Sequence, residues 1–223
     1  MMERKPIVLF GSGPFARTLH YFFEHDSDYQ IVASTVDLAH IEEDPAVDLP
    51  VVPFEEVTQH YPPDEFDMFI ALGYRRMNHL RAERYRQAKE MGYALVSHVS
   101  PRASTWPDIT IGDNCLILDQ VIVHPYVTIG NDVIIWSGSH IGHRSAVGDH
   151  CFIASRAAIS GHVTIGPYAF LGTNCTIRDS MTIGEGSAIG AGATIIANTS
   201  PWSIVAAPTT RTLPGRSDRL PRF

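Results

Sequence analysis

The sequence is poor in the features that mark membrane, secreted and nucleic-acid-binding proteins. No apolar run approaches the roughly 20 residues of a membrane-spanning helix, and Ile7–Phe10 is too short for a secretory signal. Only three cysteines are present, too few for a disulfide framework. The net charge of −7 argues against non-specific nucleic-acid binding, although a local basic patch can still hold an anionic cofactor. We therefore expect a cytoplasmic protein with no membrane insertion and no nucleic-acid partner.

An aliphatic side chain recurs at every sixth position between residues 111 and 195. A period of six fits neither a helix, with about 3.6 residues per turn, nor a half-buried strand, with a period of about 2. It is typical of hexapeptide repeats that build a parallel β-helix, in which three hexapeptides form one triangular coil. Residues eighteen apart should then stack, about 4.8 Å from one another, on neighbouring coils. The fifteen aliphatic residues are Ile111, Ile117, Val123, Ile129, Ile135, Ile141, Val147, Ile153, Ile159, Ile165, Leu171, Ile177, Ile183, Ile189 and Ile195.

A second column of the repeat lies four residues after each aliphatic and contains no charged residue. Cys115, Cys151 and Cys175 all belong to it, so we expect buried thiols with a packing role. Glycine often follows the aliphatic residue directly, and we interpret these glycines as tight corners that avoid a Cβ.

The N-terminal part reads as alternating strands and helices. Ile7–Phe10 is a buried strand, the Gly11-Ser12-Gly13 turn follows it, and a helix comes next. Such a turn can cradle a phosphate, but it is equally a plain structural turn. A second strand ends at Asp37, whose carboxylate either reaches a ribose or base or caps a loop.

The remaining N-terminal elements include a polar helix from about Asn78 to Met91 and a last strand over Tyr93–Val99. About 100 residues are too few for a full dinucleotide-binding fold. We predict a small α/β Rossmann-like domain over 1–100, a parallel β-helix over 101–208 and a tail over 209–223. The tail contains several arginines and is either a solvated terminus or an aid to binding cofactor phosphates; they are Arg211, Arg216, Arg219 and Arg222.

Histidines gather at outward positions of the predicted coil, which suggests acid/base catalysis or metal ligation. His143 should stack between Pro125 and Gly161, so its imidazole lies beside a backbone N–H with no side chain in the way. A base next to an amide donor suits acyl transfer, because one removes a proton and the other steadies an oxyanion. Zinc is a weaker alternative and we expect no metal. The histidines are His124, His140, His143, His150 and His162.

Several motifs resemble the sugar acyltransferases of the sialic acid O-acetyltransferase type, which include bacterial N-acetyltransferases of nucleotide-linked 4-amino sugars. They are Gly-Ser-Gly-Pro-Phe-Ala at 11–16, Ala-Leu-Gly-Tyr at 71–74, Ile-Gly-His at 141–143, and the stretches 147–150 and 159–166. The resemblance covers essentially the whole chain. It implies a left-handed coil, a homotrimer and acetyl-CoA bound between neighbouring β-helices.

The resemblance also assigns site residues. His143 matches the catalytic base and Gly161 the backbone donor to the thioester carbonyl. The residues that match the nucleotide-sugar site are Gly11, Ser12, Gly13, Asp37, Gly73 and Tyr74. Those that match the acetyl-CoA track are Gly161, Gly172, Gly190, Ala207 and Pro208.

Two positions depart from the family pattern. Arg144 stands where many members have an acidic residue that supports the charged histidine, and a cation there lowers a histidine's proton affinity. Asp149 or another subunit could replace that carboxylate. Phe152 stands where members often have a second histidine. The sequence predicts N-acetylation of a nucleotide-linked amino sugar for surface glycan synthesis; the alternatives are sugar O-acetylation, an inactive trimeric scaffold and, third, a zinc hydratase.

Overall fold

A computed structural model describes residues 5–41 and 48–209. The first part is a four-stranded parallel sheet in the order β3-β2-β1-β4, with helices beside it. The strands are β1 Lys5–Phe10, β2 Tyr29–Val36, β3 Val51–Pro53 and β4 Asp67–Ile70. The helices are α1 Pro14–Asp26, α2 Val57–His60 and α3 His79–Glu90, with short 3-10 turns at Leu38–His40 and Phe54–Glu56.

The last four residues of β1 and all four of β4 are buried, which explains why these strands read as continuous apolar runs. The chain places β2 on one side of β1 and β4 on the other. The carboxyl ends of β1 and β4 therefore border the crevice at which parallel α/β sheets bind ligands.

The second part is a left-handed parallel β-helix of two-residue strands. The first face contains β5, β7, β10, β13, β16, β19 and β21; the second contains β8, β11, β14, β17 and β20; the third contains β6, β9, β12, β15 and β18. Their bounds are β5 His98–Val99, β6 Thr110–Ile111, β7 Leu116–Ile117, β8 Ile122–Val123, β9 Thr128–Ile129, β10 Ile134–Ile135, β11 His140–Ile141, β12 Ala146–Val147, β13 Phe152–Ile153, β14 Ala158–Ile159, β15 Thr164–Ile165, β16 Phe170–Leu171, β17 Thr176–Ile177, β18 Thr182–Ile183, β19 Ala188–Ile189, β20 Thr194–Ile195 and β21 Ile204–Val205.

The register confirms the predicted stacking at eighteen residues, since Ile135 pairs with Ile153 and Ile141 with Ile159. All fifteen aliphatic residues of the repeat end a strand and pack into one core. The three cysteines are buried in the same core, as predicted. Burial raises the pKa of Cys115 and Cys151 to about 12 and that of Cys175 to about 11, so these thiols remain protonated at neutral pH.

The predicted role of the glycines was wrong in its mechanism. The corner residue with positive φ comes three positions after the aliphatic and is usually not glycine, for example Arg144 at 57° and His150 at 61°. The glycine directly after the aliphatic is needed for close approach between coils. A Cβ on Gly142 would lie 2.4 Å from the carbonyl carbon of Ser160, and one on Gly148 would lie 2.7 Å from the nitrogen of Pro167.

The predicted strand over Tyr93–Val99 was also wrong. Leu95 makes a single bridge to Met68, and His98–Val99 already pairs with Leu116–Ile117 on the first face. Ser97 explains the early departure from the α/β sheet: its Oγ donates to the Gly112 carbonyl and accepts from the Cys115 N–H, both at 2.8 Å. The domain limits at 100 and 208 stay predictions.

The two parts share a hydrophobic interface. Leu19 and Phe23 of α1 pack with Leu116, Ile134 and Phe152, which point outward from the first face. The arginines of the predicted tail lie outside the described residues. Across 5–41 and 48–209 no helix has the length and apolar character to cross a bilayer.

Candidate functional site

A cavity of about 1140 Å³ opens between the carboxyl ends of the α/β strands and the first face of the β-helix. It is the crevice expected from the strand order. All six residues predicted for the nucleotide-sugar site line it: Gly11, Ser12, Gly13, Asp37, Gly73 and Tyr74. Their role in binding stays a prediction, but the fold brings them together from three separate loops.

Gly11 shows why the first loop needs glycine. Its φ is 130°, and a Cβ there would lie 2.9 Å from the carbonyl oxygen of Ala71 at the end of β4. Gly13 precedes α1, whose first residue is Pro14, and a Cβ there would meet nothing within 4 Å. The loop therefore runs close to β4 at Gly11 and leaves free space at Gly13, where backbone N–H groups begin the helix.

Asp37 forms an ion pair on the cavity wall. Arg84 Nη2 of α3 donates to its Oδ2 at 2.7 Å, and His40 Nδ1 lies 3.8 Å from the same oxygen. Burial lowers the pKa of Arg84, but the hydrogen bonds and charges of Asp37 and Glu83 together outweigh burial and raise it above its ordinary value. The sequence analysis missed Arg84, because it is one of several arginines on a polar helix and no local signal distinguishes it.

Five aromatic side chains form the opposite side of the cavity, here called the aromatic wall: Phe15, Tyr74, Trp136, Phe152 and Phe170. The rings of Tyr74 lie 4.9 Å from Phe152 and 4.7 Å from Phe170, and Phe15 lies 6.0 Å from Trp136. Phe152, noted in the sequence as a departure, thus borders the cavity. The sequence analysis missed the wall as a whole, since its five members come from five separate segments.

His143 lies at the corner between the second and third faces, here called the open corner (124–126, 142–144, 160–162 and 178–180). Its exposed ring covers Gly161, where a Cβ would lie 2.8 Å from both Cε1 and Nε2. His162 meets that ring edge to face, with centroids 5.0 Å apart. The Gly161 N–H donates to no group within the described residues. The structure therefore places a histidine and a free amide donor side by side, as the stacking predicted.

Within one chain the described residues place no carboxylate next to His143. No carboxylate oxygen of the described residues lies within 4 Å of its ring nitrogens. Asp149 accepts from the Asn131 N–H at 2.7 Å and lies at a different corner. The Arg144 guanidinium lies 5.5 Å from the centre of the Tyr126 ring, one coil away. That cation–π contact gives Arg144 a partner other than His143.

Four of the five predicted histidines lie together and one does not. His124 and His140 meet edge to face at 4.8 Å, and burial, followed by the charges of His140 and His143, lowers the pKa of His124. His150 is buried elsewhere, with Nδ1 2.8 Å from Asp132 Oδ2. In the described parts of the chain no group of three or more His, Cys, Asp or Glu side chains is arranged to hold a metal.

The residues predicted for acetyl-CoA flank the second face. Gly172 and Gly190 stack at the corner between the first and second faces, and a Cβ on Gly190 would lie 3.1 Å from the Val205 carbonyl and 3.6 Å from the Ala207 nitrogen. Pro208 follows directly, whereas Gly161 lies across the second face at the open corner. Their role stays a prediction.

Comparison with known proteins identifies the repeat and the fold. Residues 108–143, 144–179 and 162–197 match the model of the bacterial transferase hexapeptide (six repeats). A search of curated proteins finds no significant match. The predicted resemblance to hexapeptide sugar acetyltransferases is confirmed at the level of the fold by the solved structures described next.

Three solved structures illustrate the likeness. The acetyltransferase domain of PglB from Neisseria gonorrhoeae FA1090, in complex with acetyl coenzyme A, is 21% identical over 92% of this chain and 97% of that one, with a TM-score of 0.81. PerB from Caulobacter crescentus, in complex with CoA and GDP-perosamine, is 24% identical over 91% and 94%, with a TM-score of 0.81. WeeI from Acinetobacter baumannii AYE is 19% identical over 91% and 97%, with a TM-score of 0.77.

Proposed function

We propose that this chain is an acetyl-CoA-dependent acyltransferase that N-acetylates the amine of a nucleotide-linked amino sugar, for surface glycan synthesis. The observation that carries the proposal is the exposed imidazole of His143 against the unobstructed N–H of Gly161. The likeness to PglB with acetyl coenzyme A and to PerB with CoA and GDP-perosamine supports the two substrates.

The reaction follows from these two groups. The sugar amine attacks the thioester carbonyl of acetyl-CoA, and His143 accepts the proton that the amine loses. The Gly161 N–H donates to the carbonyl oxygen as negative charge develops on it. The C–S bond then breaks, the amide is complete, and CoA leaves as a thiolate that takes up a proton. No acyl-enzyme is needed, and the three buried, protonated cysteines could not form one.

The cavity is the proposed site of the nucleotide sugar. The Gly11–Gly13 loop and the start of α1 offer N–H groups to phosphate, and Asp37 offers an acceptor to the ribose or base. Binding the nucleotide far from the reacting amine positions that amine for attack. Acetyl-CoA is proposed along Gly161, Gly172, Gly190, Ala207 and Pro208.

A homotrimer completes the site in this proposal. The cavity borders the first face, whereas His143 lies at the open corner between the other two faces. Within one prism these regions point in different directions, so the sugar held by one copy would meet His143 of a neighbouring copy. We place the reaction in the cytoplasm, where free thiols such as these stay reduced.

Ligand-dependent thermal stability tests the proposal. Acetyl-CoA, CoA, UDP, GDP and dTDP are each added well above their expected Kd. A ligand at 100 times its Kd that binds only folded protein adds about 2.7 kcal/mol to stability. Stabilisation by CoA and one nucleotide supports the proposal and identifies which nucleotide carries the amino sugar. Stabilisation by CoA alone favours an acceptor without a nucleotide, such as a free sugar hydroxyl, and no response contradicts acyl transfer.

A further inference from the structure

Three consecutive residues before α3 adopt a backbone conformation that L-residues avoid. Arg76, Met77 and Asn78 have φ values of 54°, 50° and 66° and are not glycine. Each costs free energy relative to a right-handed conformation, so surrounding contacts must hold all three in place. This left-handed turn, residues 76–78, directly follows Gly73, Tyr74 and Arg75, which line the cavity.

Asn78 ties the turn to the β-helix. It is fully buried, and its Nδ2 donates to the carbonyl oxygens of Tyr168 at 3.1 Å and Ala169 at 3.4 Å. Its Oδ1 accepts from Arg81 Nη1 at 3.2 Å, and the same Nη1 donates to the Gly73 carbonyl at 3.2 Å. Both ends of the segment 73–78 are therefore held by one arginine.

Arg81 is itself fixed on the β-helix. Its side chain is fully buried, and its Nε donates to Asp132 Oδ1 at 2.9 Å. Its Nη2 donates to the carbonyl oxygens of Asp132 at 2.9 Å, His150 at 3.0 Å and Cys151 at 3.1 Å. A planar guanidinium with several donors in fixed directions can join two coils and the cavity loop in a way that a lysine cannot.

We propose that Asn78 and Arg81 are positioning residues for the nucleotide sugar: they hold the left-handed turn so that Tyr74 and Arg75 remain on the cavity wall. Tyr74 reaches Phe152 and Phe170 from this loop, and Arg75 adds a cation beside the proposed phosphate site. If the tie is lost, residues 76–78 relax toward right-handed backbone and carry both side chains away. The inference rests on the proposed function, because it takes the cavity to be the nucleotide-sugar site.

The test compares two glycine substitutions in the turn. Asn78→Gly keeps the left-handed conformation accessible but removes the side-chain tie, whereas Met77→Gly relaxes the same strain and leaves the tie intact. If the competent loop falls to about a tenth of the population, Asn78→Gly raises the Kd of the nucleotide about tenfold. Isothermal titration uses whichever of UDP, GDP or dTDP binds the wild-type protein. The Kd of acetyl-CoA should stay unchanged, which a general loss of structure would not allow.

The outcomes separate this inference from the proposed function. Wild-type protein that binds none of the three nucleotides overturns both. Equal nucleotide affinity in wild type and Asn78→Gly, or an equal loss in Met77→Gly, overturns the inference alone. Should Asn78→Gly fail to fold, Arg81→Lys makes the same test, because it keeps the charge next to Asp132 and loses the forked contact to Gly73 and Asn78.

Discussion

Two corners of the same β-helix differ in the burial of their side chains. The corner between the third and first faces, here called the docked corner (112–114, 130–132, 148–150 and 166–168), stacks Asp132 and His150 at positive φ. The open corner stacks Arg144 and His162 at the equivalent step, with φ values of 57° and 56°. Asp132 and His150 are buried under α3, whereas Arg144 and His162 are exposed. The repeat sets the backbone conformation at both corners, and the packing of α3 on one of them decides which side chains are buried.

The difference lies in what covers each corner. On the docked corner Arg81 pairs with Asp132, and Tyr85 and Lys89 of α3 bind Asp113. No buried side-chain nitrogen or oxygen of the docked corner lacks a hydrogen-bond partner, as burial of polar groups requires. On the open corner His143 keeps its imidazole in solvent above Gly161. One corner joins the two parts of the chain, and the other exposes its side chains to solvent.

Removal of His143 should have the largest effect. His143→Ala deletes the proposed base, and turnover should fall by a factor on the order of 10² to 10⁴. The thermal midpoint should stay unchanged, because the side chain is exposed. Steady-state kinetics with acetyl-CoA and the nucleotide sugar measure the loss. His60→Ala, on an exposed helix, is the control and should keep full activity. Undiminished turnover in His143→Ala would remove this residue from the mechanism.

A substitution at the docked corner should instead lower the free energy of unfolding. Asp132→Ala leaves the fully buried Arg81 without its countercharge, which costs about 3–5 kcal/mol of unfolding free energy. Urea unfolding at one fixed protein concentration measures it. Asp119→Ala is the matched control, since this coil carboxylate accepts from Ser137 Oγ at 2.6 Å at the corner between the first and second faces; it should cost less than about 1 kcal/mol. Similar losses in both variants would show that burial under α3 does not distinguish the corners.

Close approach between coils can be tested on the open corner itself. Gly142→Ala places a Cβ 2.4 Å from the Ser160 carbonyl carbon, and backbone on both coils must shift. Unfolding free energy should fall by about 1–3 kcal/mol, the usual cost of overpacking. Gly73→Ala, where a Cβ meets nothing within 4 Å, is the control and should change stability by less than about 0.5 kcal/mol. A Gly142→Ala variant as stable as the wild type would show that close approach between coils does not require glycine at this position.

The sequence could predict the β-helix in detail because its contacts repeat. Residues eighteen apart must stack, so Ile135 meets Ile153 and His143 meets Gly161 without further information. The crevice of the α/β part could also be predicted from the sequence, since the strand order brings Gly11, Asp37 and Gly73 to one edge of the sheet. Both predictions rest on regular backbone geometry.

The remaining features depend on how α3 sits on the coil. His150 and His162 occupy the same position of the repeat, three residues after the aliphatic, and only the non-local packing of α3 shows that His150 is buried whereas His162 is exposed. The aromatic wall and the Asp37–Arg84 pair arise in the same way, from segments far apart in sequence. Neither hexapeptide phase nor helix periodicity carries that information.

Gly161→Ala should have the smallest effect and the most specific one. The added Cβ would lie 2.8 Å from Cε1 and Nε2 of His143, and the exposed ring can swing aside where backbone at Gly142 cannot. Stability should therefore change less than in Gly142→Ala, while displacement of the base should lower turnover about tenfold. In a double-mutant cycle, Gly161→Ala should cause little further loss once His143 is alanine, since both changes act on one imidazole. Additive losses would mean that the added methyl group lowers turnover independently of the imidazole, and not by displacing the histidine.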